Sequence, residues 1–325
     1  MRRLFFNQLR LITLTGLGVL ILTALTAGAL LLGRAHPSQS QLAYIAQPDP
    51  MSDLYTIYLH DVRIGVRIPL ISNYLGWGAS LAWSPDGTQL AFSAFEQGAV
   101  RRNIYMLTLP DLTIAQITGN TVITDHNSPS WSPDGTQLAY HAVTPNTGGN
   151  IDLYIYDFAT DAQERVYAGS HGDYTPRWSP DGATLAFETT GPPHFAPAVY
   201  LLDLATGQAE PINDTPADTT NPAWSPAGDA LVYAAKAAFD QPFNLYVMTV
   251  DGNGVRRVTG VPGTHAMEPD WSPDGRMLAY TQFSGVRADV TRIYITPADG
   301  RGHPVAVSPY GENARQAVWR PLGKR

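Results

Sequence analysis

Pro129-Ser130-Trp131-Ser132-Pro133-Asp134-Gly135 decides the fold, because the chain keeps returning to it. Trp83-Ser84-Pro85-Asp86-Gly87 comes before it. Trp178-Ser179-Pro180-Asp181-Gly182, Trp224-Ser225-Pro226-Ala227-Gly228 and Trp271-Ser272-Pro273-Asp274-Gly275 come after it. A worn copy, Trp319-Arg320-Pro321-Leu322-Gly323, ends the chain. The tryptophans stand 48, 47, 46, 47 and 48 residues apart, and a fixed period in this range marks a repeat architecture.

Each copy reads as strand, tight turn, strand. Pro presets φ near −65° in the turn, Asp suits the next position, and Gly accepts the positive φ that a β-carbon resists. Alternating apolar runs follow the turns: Leu90-Ala91-Phe92, Leu138-Ala139-Tyr140, Leu185-Ala186-Phe187, Leu231-Val232-Tyr233 and Leu278-Ala279-Tyr280. A third run, such as Leu153-Tyr154-Ile155-Tyr156, and a short polar fourth, such as Val255 to Thr259, complete each unit. Four strands per unit of this length make the blade of a β-propeller. The column Trp83, Trp131, Trp178, Trp224, Trp271 and Trp319 is expected to pack between blades. Because Ala227 and Leu322 stand where other copies carry Asp, that Asp reads as a turn former rather than a catalyst.

The first unit lacks an inner strand. Gln41-Leu42-Ala43-Tyr44 matches a second strand, Leu54 to Tyr58 a third and Val66 to Ile71 a fourth. Ala317-Val318-Trp319-Arg320-Pro321 matches a first strand with nothing after it. Joining the two ends makes a sixth blade and leaves no open edge. The expected fold is therefore all-β, a six-bladed propeller over residues 41–325 closed by the C-terminal strand.

Pro-x-Trp-Ser-Pro-Asp-Gly-x-x-Leu-Ala-Phe/Tyr resembles the WD-like repeat of TolB-type β-propellers across all of residues 41–325. The resemblance implies the propeller fold. It also implies a channel mouth that receives a protein partner, as in TolB. Similar repeats occur in the propellers of prolyl-oligopeptidase-like enzymes, where an α/β-hydrolase domain accompanies them. Only an anchor and a linker precede the first blade here, so neither a place in a Tol–Pal complex nor a hydrolase domain is expected.

Residues 1–34 differ from the rest. Arg2, Arg3 and Arg10 precede 22 uncharged residues, Leu11 to Leu32. A secretory signal carries a shorter apolar core, and about 20 apolar residues span a bilayer. The apolar length favours one transmembrane helix over residues 11–32. The basic cluster predicts a cytoplasmic tip and an extracytoplasmic propeller. Cleavage of a long signal peptide after Ala27-Gly28-Ala29 is the competing reading. Residues 35–40 read as a linker. Without the four arginines of the first 34 residues, 17 basic face 28 acidic residues, a net of −11, which argues against a nucleic-acid or anionic-lipid surface. There is no Cys, so thiol chemistry and disulfides are excluded. The sequence calls for no cofactor and no metal.

No Gly-x-Ser-x-Gly, His-Glu-x-x-His or phosphate-binding glycine loop is present. The candidate site comes instead from the segments leading into each inner strand. Asp125, His126, His171, Asp173, Asp218, His265, Glu268, Glu312 and Arg315 all lie within seven residues before a repeat tryptophan. They are expected around one channel mouth, with Arg315 able to pair with Glu312. Such a ring attracts a basic peptide or cation. The bland alternative is that these residues bind backbone amides in turns. The top loops add Trp77, Phe95, Phe195, Phe239 and Phe283. The leading function is non-catalytic binding of a protein or peptide. The alternatives are a hydrolase or lyase on an envelope or extracellular polymer, acting through the mouth's carboxylates and histidines, and a structural subunit of an envelope assembly.

Overall fold

The computed structural model describes residues 40–49, 51–75, 79–95, 101–119, 123–144, 148–169, 171–190, 196–212, 218–238, 240–252, 254–284 and 287–322. The expected anchor, nearly all of the linker, and Trp77, Phe195 and Phe239 lie outside them. Among the described residues no helix is long and apolar enough to cross a membrane.

The strands run in the order the repeat predicts. β1 (Gln41–Gln47), β2 (Leu54–Asp61) and β3 (Val66–Leu75) start the first blade. β4 (Leu81–Trp83), β5 (Gln89–Phe95), β6 (Arg102–Thr108) and β7 (Thr113–Gln116) form the second. The third holds β8 (Thr124–Trp131), β9 (Gln137–Val143), β10 (Ile151–Asp157) and β11 (Ala162–Tyr167). In the fourth are β12 (Asp173–Trp178), β13 (Thr184–Thr190), β14 (Pro197–Asp203) and β15 (Ala209–Pro211). The fifth has β16 (Asp218–Trp224), β17 (Ala230–Lys236), β18 (Asn244–Thr249) and β19 (Arg256–Arg257). The sixth has β20 (Thr264–Trp271), β21 (Met277–Ser284), β22 (Arg287–Pro297) and β23 (Val305–Ala306). β24 (Asn313–Trp319) then pairs antiparallel with β1, Leu42 opposite Trp319 and Gln47 opposite Asn313, and closes the first blade. One bridge, Leu75 to Phe95, also joins the first and second blades.

The turns show why Ser-Pro-Asp-Gly recurs. In the second blade Gly87 N–H donates to the Ser84 carbonyl at 2.8 Å, which closes the turn. The Ser84 hydroxyl donates to Asp86 at 2.6 Å and accepts from Gln89 N–H at 2.9 Å. Ser132, Ser179 and Ser272 repeat the arrangement. In the copy with Ala227, Ser225 turns to Asp229 at 2.7 Å instead. The turn glycines sit at φ between 68° and 78°. A β-carbon on Gly182 would stand 3.3 Å from the Pro133 ring, and Gly135, Gly228 and Gly275 likewise nest against Pro85, Pro180 and Pro226 of the preceding blades.

The core lies between blades, as the tryptophan column predicts. Trp271, Leu278 and Tyr280 pack on Val232 and Leu245 of the fifth blade. Trp131, Leu138 and Tyr140 pack on Ala91 and Ile104 of the second. The Nε1–H groups of Trp131, Trp224 and Trp271 donate to Ala82, Arg177 and Ala223 carbonyls of the preceding blades at 3.1 to 3.2 Å. Where the other copies have Ser, the closing copy has Arg320. It is buried against the Trp83 ring and donates to Gly87 O and Gln41 Oε1 at 2.7 and 2.9 Å.

Candidate functional site

Five of the six inner strands are interrupted three residues before their tryptophan. The ladder slips there in five blades, next to Ser128, Thr175, Asn221, Glu268 and Gln316. All five residues sit at φ between 49° and 55°. A left-handed residue other than Gly is uncommon, and a β-branched one such as Thr175 is an outlier. Each such position costs about 1–3 kcal/mol and persists only when the surroundings hold it. A bulge re-aims the side chain it carries and ends regular pairing there.

The surroundings that hold it are a belt of side chains. The freed Glu268 N–H donates to Asn221 Oδ1 at 3.3 Å, and Gln316 N–H donates to Glu268 Oε2 at 3.0 Å. Asn221 N–H reaches Glu188 at 3.3 Å and Thr175 N–H reaches His141 Nδ1 at 3.3 Å. As an acceptor His141 is neutral there, and burial pulls its pKa down to about 3. In the second blade Ser80 stands at the equivalent position and touches Ser128 Oγ to Oγ at 3.3 Å.

Inside the belt is a cavity of about 420 Å³ lined by the inner strands of all six blades. Tryptophans and prolines of the inner strands and turns supply much of its wall, and its charged and uncharged polar side chains come from two columns. The belt gives Thr175, Asn221, Glu268 and Gln316. The residues just before the tryptophans give Ala82, Ser130, Arg177, Asp270 and Val318. Burial lowers the Arg177 pKa, yet a guanidinium keeps its proton throughout the working range. Its contacts are weak: Nη1 points to the Pro129 and Pro176 carbonyls at 3.4 and 3.3 Å. Asp270 accepts Trp319 N–H at 2.7 Å, and burial pushes its pKa up to about 7 against that bond and the Arg177 charge.

The predicted mouth residues are placed differently. Asp125 is held by Arg102 at 2.8 Å, Asp218 by Lys236 at 2.5 Å, Glu268 by Arg315 at 3.1 Å and Glu312 by Arg67 at 2.6 Å. Arg315 therefore pairs with Glu268, not with Glu312 as the sequence suggested. Arg67 takes Glu312 with both arms of its fork and also reaches Tyr44. Burial resists ionisation of Asp125 and Glu268, and their arginines override it, leaving both carboxyls below the usual range. Asp173 is fully buried, accepts Gly169 N–H at 2.8 Å, and is raised to about 6 by that burial.

The histidines do not gather. His126 is buried beside Tyr140 with its rings 5.5 Å apart, and burial lowers its pKa to about 4. His171 is half-buried ahead of β12. His265 stacks on Phe283 at 4.8 Å and accepts Phe243 N–H at 3.3 Å. Among the described residues no three of His, Asp and Glu come together as a metal site. Of the predicted mouth residues, only Glu268 lines the cavity. Arg177 and Asp270 were missed, although they are the two charged members of a column otherwise read as Ala82, Ser130, Ala223 and Val318.

The family profile described as the TolB β-propeller domain matches residues 23–191 and 174–325. No curated protein sequence matches the chain. Among solved structures, TolB from Acinetobacter baumannii superposes with a TM-score of 0.73 at 22% identity, over 93% of this chain and 71% of that one. A protein from Agrobacterium tumefaciens assigned as a TolB gives 0.67 at 18%, over 87% and 99%. Oligogalacturonate lyase from Vibrio parahaemolyticus gives 0.51 at 17%, over 83% and 74%. At these identities the likeness is one of fold.

Proposed function

The chain belongs to the TolB β-propeller domain family, and from that footing we propose that it is a non-catalytic platform that binds a protein or peptide in its central channel. The observation that carries this reading is the strained belt around a cavity built by all six blades. Five blades hold the same unfavourable backbone conformation, each with a different polar side chain at that position. A rigid ring that presents Thr, Asn, Glu and Gln to one opening is suited to reading an extended segment group by group.

Attraction by an acidic ring plays little part, because four of the five predicted carboxylates already hold a cation of their own. A polymer hydrolase or lyase would need an acid and a base converging on one cleft. His126 and His141 are neutral and committed to the interior, and His265 belongs to an aromatic stack, so these groups favour binding over turnover. Residues 11–32 are proposed to hold the propeller at the extracytoplasmic face of a membrane, an orientation that the arginines of the first ten residues favour.

A photo-crosslinking residue separates platform from bystander. Placed at Val318, which lines the cavity, it is expected to trap one discrete partner in intact cells; placed at Ile114, 52% exposed on an outer strand, it is not. Equal trapping at both positions, or none at Val318, rejects the reading.

A further inference from the structure

We propose that the cavity recognises a carboxylate of the bound segment, with Arg177 as its anchor. The inference rests on the binding reading above and names what the deep end of the channel reads.

Arg177 enters the lumen from β12, just before Trp178. No carboxylate of the described residues comes within ion-pair distance of it. Only Nη1 makes hydrogen bonds, both long and both to backbone carbonyls. Nε and Nη2 donate to none of the described residues, although the side chain lines a 420 Å³ cavity. The charges of Asp270, Glu188 and Glu268 act on it from a distance; a guanidinium in a protein lumen with no carboxylate in contact is costly, and a planar fork with free N–H groups matches a carboxylate.

The acids around it do not fill this place. Glu268 is spent on Arg315, Thr281 and the Gln316 N–H. Glu188 is spent on Thr220 and the Asn221 N–H. His141, which feels the Arg177 charge, is neutral. Asp270 is the remaining acid in the lumen; burial raises its pKa to about 7 against the Arg177 charge and the Trp319 N–H bond, so at pH 6 the protonated form predominates. In that form it repels no anion and its O–H can donate to one. Thr175, Asn221 and Gln316 of the same cavity offer further polar contacts, and Pro129, Pro222 and Pro269 supply apolar surface for the chain that carries the group.

The carboxylate could belong to an acidic side chain or to a chain end, and three probes separate these sources from each other and from general peptide affinity. They are N-acetyl-glycyl-glycine, N-acetyl-aspartate amide and the uncharged N-acetyl-glycyl-glycinamide, titrated calorimetrically into the full-length chain in detergent at pH 6. At least one acid is expected to bind tenfold or more tightly than the amide, and the tighter acid identifies the source. Arg177→Gln is expected to abolish that preference and Arg177→Lys to keep part of it. Equal affinities for all three probes, no binding of any, or a preference that survives Arg177→Gln overturns the proposal. Should Arg177→Gln fail to fold, the acid–amide comparison on the unaltered chain and the Lys variant still decide. A lost carboxylate preference with the Val318 crosslink intact removes this inference and leaves the platform; loss of both removes both.

Discussion

The two halves of each inner strand follow opposite rules. At the turn end five copies repeat one solution, with Ser, Pro and Gly at fixed places and the tryptophan in the inter-blade core, and four of their glycines stand against the proline of the preceding blade. At the belt end five of the six blades repeat one backbone, a left-handed bulge, and vary the side chain: Ser128, Thr175, Asn221, Glu268, Gln316. Sameness of side chain marks what the ring needs to close. Sameness of backbone with differing side chains marks what the ring presents. Within a repeat protein, departure from internal symmetry is therefore the better guide to recognition.

The largest effect expected comes from removing the closure. Deleting residues 313–325 takes away β24, exposes β1 and unseats Trp319. Aggregation on gel filtration is expected; a monomer that melts within a few degrees of the parent would break the six-blade scheme. Next comes the turn end itself. Trp271 is 8% exposed and bonded to the preceding blade, so Trp271→Ala should lower unfolding free energy by about 3–5 kcal/mol in urea titrations. A loss below 1 kcal/mol would show that the column is not core.

The titratable groups around the belt and the lumen should show in the pH dependence. His126 and His141 have folded pKa values depressed to about 4 and about 3, so their contribution is present above pH 6.5 and lost as pH falls. Asp270 is the reverse. Its folded value is raised to about 7, so its contribution is complete below its unfolded pKa near 4 and lost as pH rises through 7. Asp270→Asn should flatten the limb between pH 4 and 7, and His126→Phe the limb below 6.5, each by about 1–3 kcal/mol. Urea midpoints measured from pH 4 to 8 check both. Unchanged midpoints for Asp270→Asn at every pH would place that carboxyl in water rather than in the cavity wall.

The smallest effect belongs to a repair. Asp229→Ala removes the acceptor that Ser225 uses in the Ala227 copy, and should cost about 0.5–1.5 kcal/mol. Restoring the repeat with Ala227→Asp in that background should recover most of it. A double variant no better than the single would mean that the turn hydrogen bonds are not interchangeable.

The fold was legible because its signals are local. A Pro-Asp-Gly turn fixes a hairpin by itself, and the tryptophan spacing counts the blades. The site was legible only in part. Counting back from each tryptophan found the right strand ends but not their partners. Asp218 and Lys236 stand directly opposite in the hairpin register, so aligning the two strands would have shown that pair. Arg67, which takes Glu312, lies 245 residues away and could not be found that way. The bulges were hidden because their left-handed residues are Ser, Thr, Asn, Glu and Gln, where sequence leads one to look for Gly.

The closing pair also has a mechanical side. Since β1 and β24 are antiparallel, with Leu42 opposite Trp319, the chain enters and leaves the ring at the same end of that pair. Tension between the two ends would load one hydrogen bond at a time, as a zip is opened, and not the whole ladder in shear. The first tooth of that zip is where Arg320 N–H meets Gln41 O and the Arg320 side chain grips Gln41 and Gly87. Resistance to pulling is thus concentrated in one residue at the seam, so an optical trap holding the two ends should find the opening force set mainly by Arg320.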